Sequence, residues 1–143
     1  MQNTIFLKTN IFDLDWNRHV TSRTYEKFSL EGRHSLLNEI GYPIQKCIEE
    51  KLLLIPEFTQ VRFLAQQFAG ANLKVQTQVA SNQEGKILWT HKIFGKDEAL
   101  ACELTNITRI SSQDTTCFFM GGKIQFFRLP LSGEKVKRIN CER

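Results

Sequence analysis

The sequence predicts an α+β fold in which an antiparallel sheet of about five or six strands is wrapped around one long helix. Three observations carry that expectation. One segment, starting near Ser22, repeats its apolar residues at helical spacing. Most of the chain between Phe58 and Ile110 alternates apolar and polar residues with a period of two. The connections between these alternating stretches are short, and Asn82-Gln83-Glu84-Gly85 and Gly95-Lys96-Asp97-Glu98 read as hairpin-type links, so successive strands run as a meander.

Taken in order, Asn3 to Phe12 mixes β-branched and aromatic residues and reads as a strand. The stretch Asp13-Leu14-Asp15-Trp16-Asn17-Arg18-His19-Val20 follows as a turn or loop. Asp15, Asn17 and His19 alternate, so extended backbone would project them to one side, with Trp16 opposite and Val20 anchored in the core. Tyr25, Phe28, Gly32, Leu36 and Ile40 then mark the helix, with Thr21 or Ser22 as its N-cap and Gly41-Tyr42-Pro43 as its stop. A glycine inside a helix costs about 1 kcal/mol relative to alanine. Gly32 therefore implies close backbone contact, which a sheet around the helix would supply.

Ile44 to Lys51 reads as a short segment with a helical turn around Cys47. Leu52 to Glu57 reads as a short buried strand that Pro56 closes or places at an edge. Further strands are expected over Phe58 to Gln67, Asn72 to Ala80, Lys86 to Phe94 and Ala99 to Ile110. Asn82-Gln83-Glu84-Gly85 and Gly95-Lys96-Asp97-Glu98 connect the later ones. Cys117 to Phe127 is either a hairpin turning at Gly121-Gly122 or an apolar flap, and the basic stretch beyond Pro130 is expected to fray.

A chain of 143 residues suits one domain, here 1–143 with a core at about 4–111 and an extension at 112–143. Its net charge of +4 comes from 19 basic and 15 acidic residues, with part of the excess at Lys135, Lys137, Arg138 and Arg143. No dense basic block marks a nucleic-acid reader; the surplus suits an anionic ligand such as a phosphorylated acyl carrier, or simply solubility. Neither a secretory leader nor a membrane span is legible, so the expected location is the cytoplasm. Cys47, Cys102, Cys117 and Cys141 are scattered without a C-x-x-C pair, which points to free thiols. No metal site, phosphate-binding glycine loop or serine elbow is present, and no cofactor is expected. A sheet with a single long helix leaves an edge or face open, so a homodimer is expected.

The chemistry concentrates in residues 13–33. Two acids, an amide and an imidazole stand just ahead of a helix N-terminus, whose free N–H groups can hold an oxygen that becomes negative during reaction. This is a hydrolytic site in outline. The order strand, D-x-D-x-x-x-H-V, helix, meander resembles the hotdog-fold thioesterases of the 4-hydroxybenzoyl-CoA thioesterase and acyl-ACP thioesterase group. Asp13, Asp15, His19, Val20, Tyr25, Glu31, Arg33 and Gly41 carry the match, which spans about residues 4 to 111. Asp13-Leu14-Asp15-Trp16-Asn17-Arg18-His19-Val20 is especially similar to the D-L-D-x-N-x-H-V of acyl-ACP thioesterases. The chain departs from many relatives at Arg18, where they have Gly, at Thr21-Ser22, where they have Asn-Asn, and in lacking a Pro within Phe63 to Gln67.

The resemblance implies a hotdog fold and hydrolysis of acyl-CoA or acyl-ACP thioesters by a dimer or a tetramer of dimers. It gives Asp15 the part of base or nucleophile; the alternative is that Asp15 caps the turn or the helix. Asn17 either orients the water or carbonyl or simply forms the turn. His19 either polarises the carbonyl and positions Asp15 or ties the loop to backbone carbonyls. Glu31 approaches the site in some relatives; otherwise Glu31 and Arg33 are exposed charges or an intrahelical pair. Tyr25 and Arg18 are the candidates for substrate contact, Tyr25 as core or pocket wall. Asp13 is expected to be structural, and His34 and His91 to be surface or strand residues. The competing reading is a non-catalytic hotdog protein that binds an acyl ligand or a partner.

Overall fold

The computed structural model describes residues 1–81, 86–111, 115–120, 123–128 and 137–138. Five strands form one antiparallel sheet: β1 (Gln2–Lys8), β2 (Leu53–Phe63), β3 (Asn72–Ser81), β4 (Lys86–Phe94) and β5 (Leu100–Ser111), in the order β1-β3-β4-β5-β2. A long helix, α1 (Ser22–Glu39), lies against the sheet, and a short helix, α2 (Ile44–Glu49), follows it. Strands β6 (Thr115–Met120), β7 (Lys123–Arg128) and β8 (Lys137–Arg138) form a second, three-stranded sheet. β6 and β7 pair antiparallel, as the hairpin alternative of the sequence would have them, while Gly121-Gly122 and the 82–85 connection lie outside the described residues, as does most of the chain beyond Pro130.

The helix begins and ends where its residues dictate. Thr21 Oγ1 accepts the Thr24 N–H at 3.2 Å, and Gly41 takes a φ of +79° after the last turn. Its buried side, Tyr25, Phe28, Ser29, Gly32, Leu36 and Leu37, faces the sheet. Gly32 is there for closeness: a Cβ at this position would lie 2.1 Å from Thr77 Oγ1 on β3.

The inward faces of the strands divide into two apolar clusters. Val20, Tyr25, Phe28, Leu73, Val75, Ile93, Cys102 and Leu104 form one, towards the start of α1. Leu36, Leu37, Tyr42, Leu52, Val79, Ile87 and Trp89 form the other, towards its end. Between them runs a belt of buried polar residues, Thr77, His91 and Asn106, of which Thr77 lies under Gly32. Burying such groups is costly unless they are hydrogen-bonded, which makes the belt an unusual floor for a helix.

Two segments depart from expectation. Ile11 and Phe12 do not continue the first strand but form a 3₁₀ turn with Asp13. The Asn10 side chain accepts the Phe12 N–H and the Asp13 carboxylate accepts the Asn10 N–H, each at 2.8 Å, so local capping ends the strand early. Residues 53–63, expected as parts of two strands, are a single edge strand that passes through Pro56. Its register shifts between Pro56 and Phe58, a bulge beside the residue that has no N–H to give. Leu53 is exposed rather than buried, and residues 64–67 leave the sheet, with the Leu64 and Ala65 N–H groups both donating to the Ala101 carbonyl.

Candidate active site

The motif loop is built upward from Asp13. Its carboxylate is buried, caps the 3₁₀ turn through Asn10 and lies 3.7 Å from Lys27 Nζ. Its carbonyl accepts from the Thr21 N–H at 3.0 Å and from Thr24 Oγ1 at 3.1 Å, which fixes the loop to the first turn of α1. Leu14 pairs with Val20 across the loop's neck, and the Val20 N–H donates to the Gln67 carbonyl at 2.8 Å. Asp13 is therefore a structural acid and Val20 the buried anchor.

Between these ends the chain turns sharply. Asp15 Oδ1 accepts the N–H groups of Asn17 at 2.8 Å and His19 at 3.0 Å, while the Asp15 N–H donates to the His19 carbonyl at 2.8 Å. Arg18 completes the turn with a φ of +65°, the left-handed conformation that a glycine would adopt freely. Residues 15–18 are thus a closed turn, and the expected projection of Asp15, Asn17 and His19 to one side of extended backbone does not apply. Asp15, Asn17 and Arg18 are exposed; His19 is half-buried, its ring edge-on to Phe68 with centroids 5.3 Å apart. Trp16 is fully exposed, as is most of Phe12.

One oxygen of Asp15 is thereby committed to holding the loop. The other, Oδ2, makes no hydrogen bond among the described residues. The loop sits directly ahead of α1, where the N–H groups of Ser22 and Arg23 precede the first bonds back to Thr21. Asp15, Asn17 and His19 thus belong to a turn that immediately precedes α1, with the backbone N–H groups of the last two on Asp15 Oδ1.

The other candidates are placed differently. Tyr25 is buried, its ring 5.8 Å from that of Phe63, and burial with the nearby Cys102 pushes its phenol up to about 12. It packs in the core and keeps its proton at neutral pH. Glu31 is exposed on α1, about 14 Å along the helix axis from Ser22. Within one chain the structure does not bring Glu31 to Asp15.

Arg33 corrects the reading of an exposed or intrahelically paired charge. It is half-buried over β4, with its Cζ 6.0 Å from the Trp89 ring centroid, and burial lowers its pKa from the usual guanidinium range. Below it, His91 Nδ1 and Thr77 Oγ1 are 3.0 Å apart, and Asn106 Nδ2 donates to Thr59 Oγ1 at 2.9 Å. His91 Nε2, Asn106 Oδ1 and Arg33 Nε are all buried without a hydrogen-bond partner among the described residues. Desolvation, and then the charge of Arg33, push the His91 pKa down to about 3; the neighbouring Asn106 amide opposes this without closing a bond to Nε2. This cluster escaped the sequence reading. Its one signal was the placement of His91 and Asn106 at inward positions of alternating strands.

Comparison with solved structures gives the hotdog fold of the thioesterases. A 1,4-dihydroxy-2-naphthoyl-CoA thioesterase from Synechocystis superposes with a TM-score of 0.74 at 15% identity, covering 79% of this chain and 84% of its own. A Staphylococcus aureus protein solved in complex with CoA gives 0.72 at 12% identity, over 79% and 72% of the two chains. An acyl-ACP thioesterase from Bacteroides thetaiotaomicron gives 0.69 at 14% identity, over 76% of this chain and 45% of its own. At these identities the likeness defines the fold. No protein-family model matches the sequence, and no curated protein sequence does.

Proposed function

We propose that the chain is an acyl thioesterase that hydrolyses acyl-CoA or acyl-ACP thioesters in the cytoplasm, as a homodimer or a tetramer built from dimers. The observation that carries this reading is the Asp15 turn, with one carboxylate oxygen fixed and one available, directly ahead of the N-terminus of α1. The hotdog fold, found also in proteins described as CoA and ACP thioesterases, supports it.

In this reading Asp15 Oδ2 takes a proton from water as the water oxygen attacks the thioester carbonyl carbon. The N–H groups of Ser22 and Arg23 hold the oxygen that becomes negative, and when the C–S bond breaks the proton leaves with the thiolate. Asn17 orients the water or the carbonyl, and His19, steadied by Phe68, polarises the carbonyl or positions Asp15. Tyr25 lines the acyl site, Arg18 meets the anionic carrier, and Glu31 contributes from the second copy. The carrier is part of the substrate, so no separate cofactor is invoked.

Paired substitutions test the mechanism. Asp15→Asn keeps an oxygen for the Asn17 and His19 N–H groups but removes the base, so turnover of acyl-CoA thioesters, followed by free-thiol release, is expected to fall about 10²–10⁴-fold while the fold persists. If Asp15→Ala leaves the turnover of every accepted thioester unchanged, the mechanism is wrong even though the fold stands. A second reading, an acyl-binding hotdog without efficient hydrolysis, is favoured by Arg18 and Thr21-Ser22, where the motif departs from its relatives. It predicts that acyl-CoA raises the melting temperature with no thiol released.

A further inference from the structure

We propose that Phe68 is a positioning residue of the site, holding the His19 imidazole in place from a turn that Thr9 locks. The inference rests on the thioesterase reading for its effect on turnover, and on the geometry alone for its effect on His19.

The backbone of His19 is committed and its side chain is not. The His19 N–H is on Asp15 Oδ1 and its carbonyl takes the Asp15 N–H, so the turn holds its Cα. The imidazole makes no hydrogen bond or ion pair among the described residues, which removes the alternative that it ties the loop to backbone carbonyls. A side chain held only at its Cα still turns about two bonds. What it meets is the Phe68 ring, with 5.3 Å between centroids and 72° between planes, the edge-on arrangement that aromatic rings favour.

Such a contact orients His19 only if Phe68 is itself fixed. Phe68 lies in the connection between β2 and β3 and is 54% exposed, so packing in the core is not what holds it. Thr9, buried just past the end of β1, holds it through the backbone. Its Oγ1 donates to the Phe68 carbonyl at 2.6 Å and accepts the Ala71 N–H at 2.9 Å. The Thr9 N–H donates to the Ala71 carbonyl and the Thr9 carbonyl accepts the Gly70 N–H, both at 3.0 Å. Gly70, at a φ of +75°, lets the chain turn tightly enough for residues 68–71 to close on this one threonine. On the other side of Phe68, the Gln67 carbonyl takes the Val20 N–H, and the Gln67 side chain fills the space beside Gly95, where a Cβ would lie 2.3 Å from its Oε1. Gln67-Phe68 thus braces the end of the motif loop twice, Val20 through the backbone and His19 through the ring.

The test reads His19 directly and turnover separately. In proton–carbon NMR spectra of the intact chain, the His19 ring protons are expected to carry the ring-current displacement of Phe68. Phe68→Leu and Thr9→Val are expected to move them towards the positions of a free imidazole, and Phe68→Tyr and Thr9→Ser to keep them. In turnover of acyl-CoA thioesters, followed by thiol release, Phe68→Leu is expected to lower kcat about three- to tenfold, the worth of one aromatic contact, with KM changed by less than about twofold. With His19→Ala already in place, adding Phe68→Leu is expected to lower kcat no further, because the two side chains act as a unit. Should Thr9→Val fail to fold, Phe68→Leu decides, since a half-exposed ring contributes little to the core. His19 resonances that Phe68→Leu leaves in place overturn the proposal. So does a loss that persists undiminished in the His19→Ala background, or a change confined to KM, which would make Phe68 a substrate contact instead. A wild type that releases no thiol, while its His19 resonances still respond to Phe68→Leu, would sink the thioesterase reading and uphold the hold of Phe68 on His19.

Discussion

His91 shows how a single side chain ties the core to pH. Its folded pKa of about 3 lies below the ordinary 6.5, so between those values the unfolded chain holds a proton that the native imidazole refuses. The stability this contributes is complete above pH 6.5 and is lost as pH falls towards 3, at up to roughly 1.4 kcal/mol per pH unit. Urea unfolding at pH 7, 5 and 4 is expected to show that slope, and His91→Gln to flatten it. A flat wild-type profile would mean that the imidazole is not held neutral. The same scale divides what the sequence disclosed from what it hid. Asp13, Asp15, Asn17 and His19 are near neighbours in the chain, so their common place in the loop ahead of α1 was legible. Arg33, His91 and Asn106 come from three separate elements, and only the strand register and the helix seat bring them together.

At the scale of elements, α1 is held at its middle by the absence of a side chain. Gly32→Ala improves helix propensity by about 1 kcal/mol, yet its Cβ would meet Thr77 Oγ1 at 2.1 Å and Val75 Cγ1 at 3.3 Å. The Thr77 hydroxyl is engaged with His91 and cannot swing away without breaking that bond. A net loss of about 1–3 kcal/mol is expected in chemical denaturation, partly recovered by adding Thr77→Ala. Both ends of α1 could be read from sequence because capping is local: Thr21 and Gly41 act on their own neighbours. The edge strand could not. Pro56 signals a strand end when judged alone, and only its position on the open side of β2 lets the strand continue through it.

For the molecule as a whole, the sheet order leaves β2 with one side unpaired among the described residues and apolar side chains in view, Leu53, Phe58 and Phe63 among them. A second copy covering this strand is the expected arrangement, and sedimentation velocity is expected to give a dimer that Phe58→Lys shifts towards monomer. A monomeric wild type would remove the route by which Glu31 joins the site. The general architecture was legible because period-two and helical patterns occupy separate parts of the chain. The second sheet was less so, since Cys117 to Phe127 is apolar enough for either a hairpin or a flap. The bulge at Pro56 has a consequence for aggregation. Any incoming strand finds an uninterrupted ladder only along Phe58–Phe63, because the register breaks before it and the chain leaves the sheet after it. So short a template favours one matched partner over open-ended fibre growth, and makes this exposed edge less hazardous than its hydrophobic residues alone would suggest.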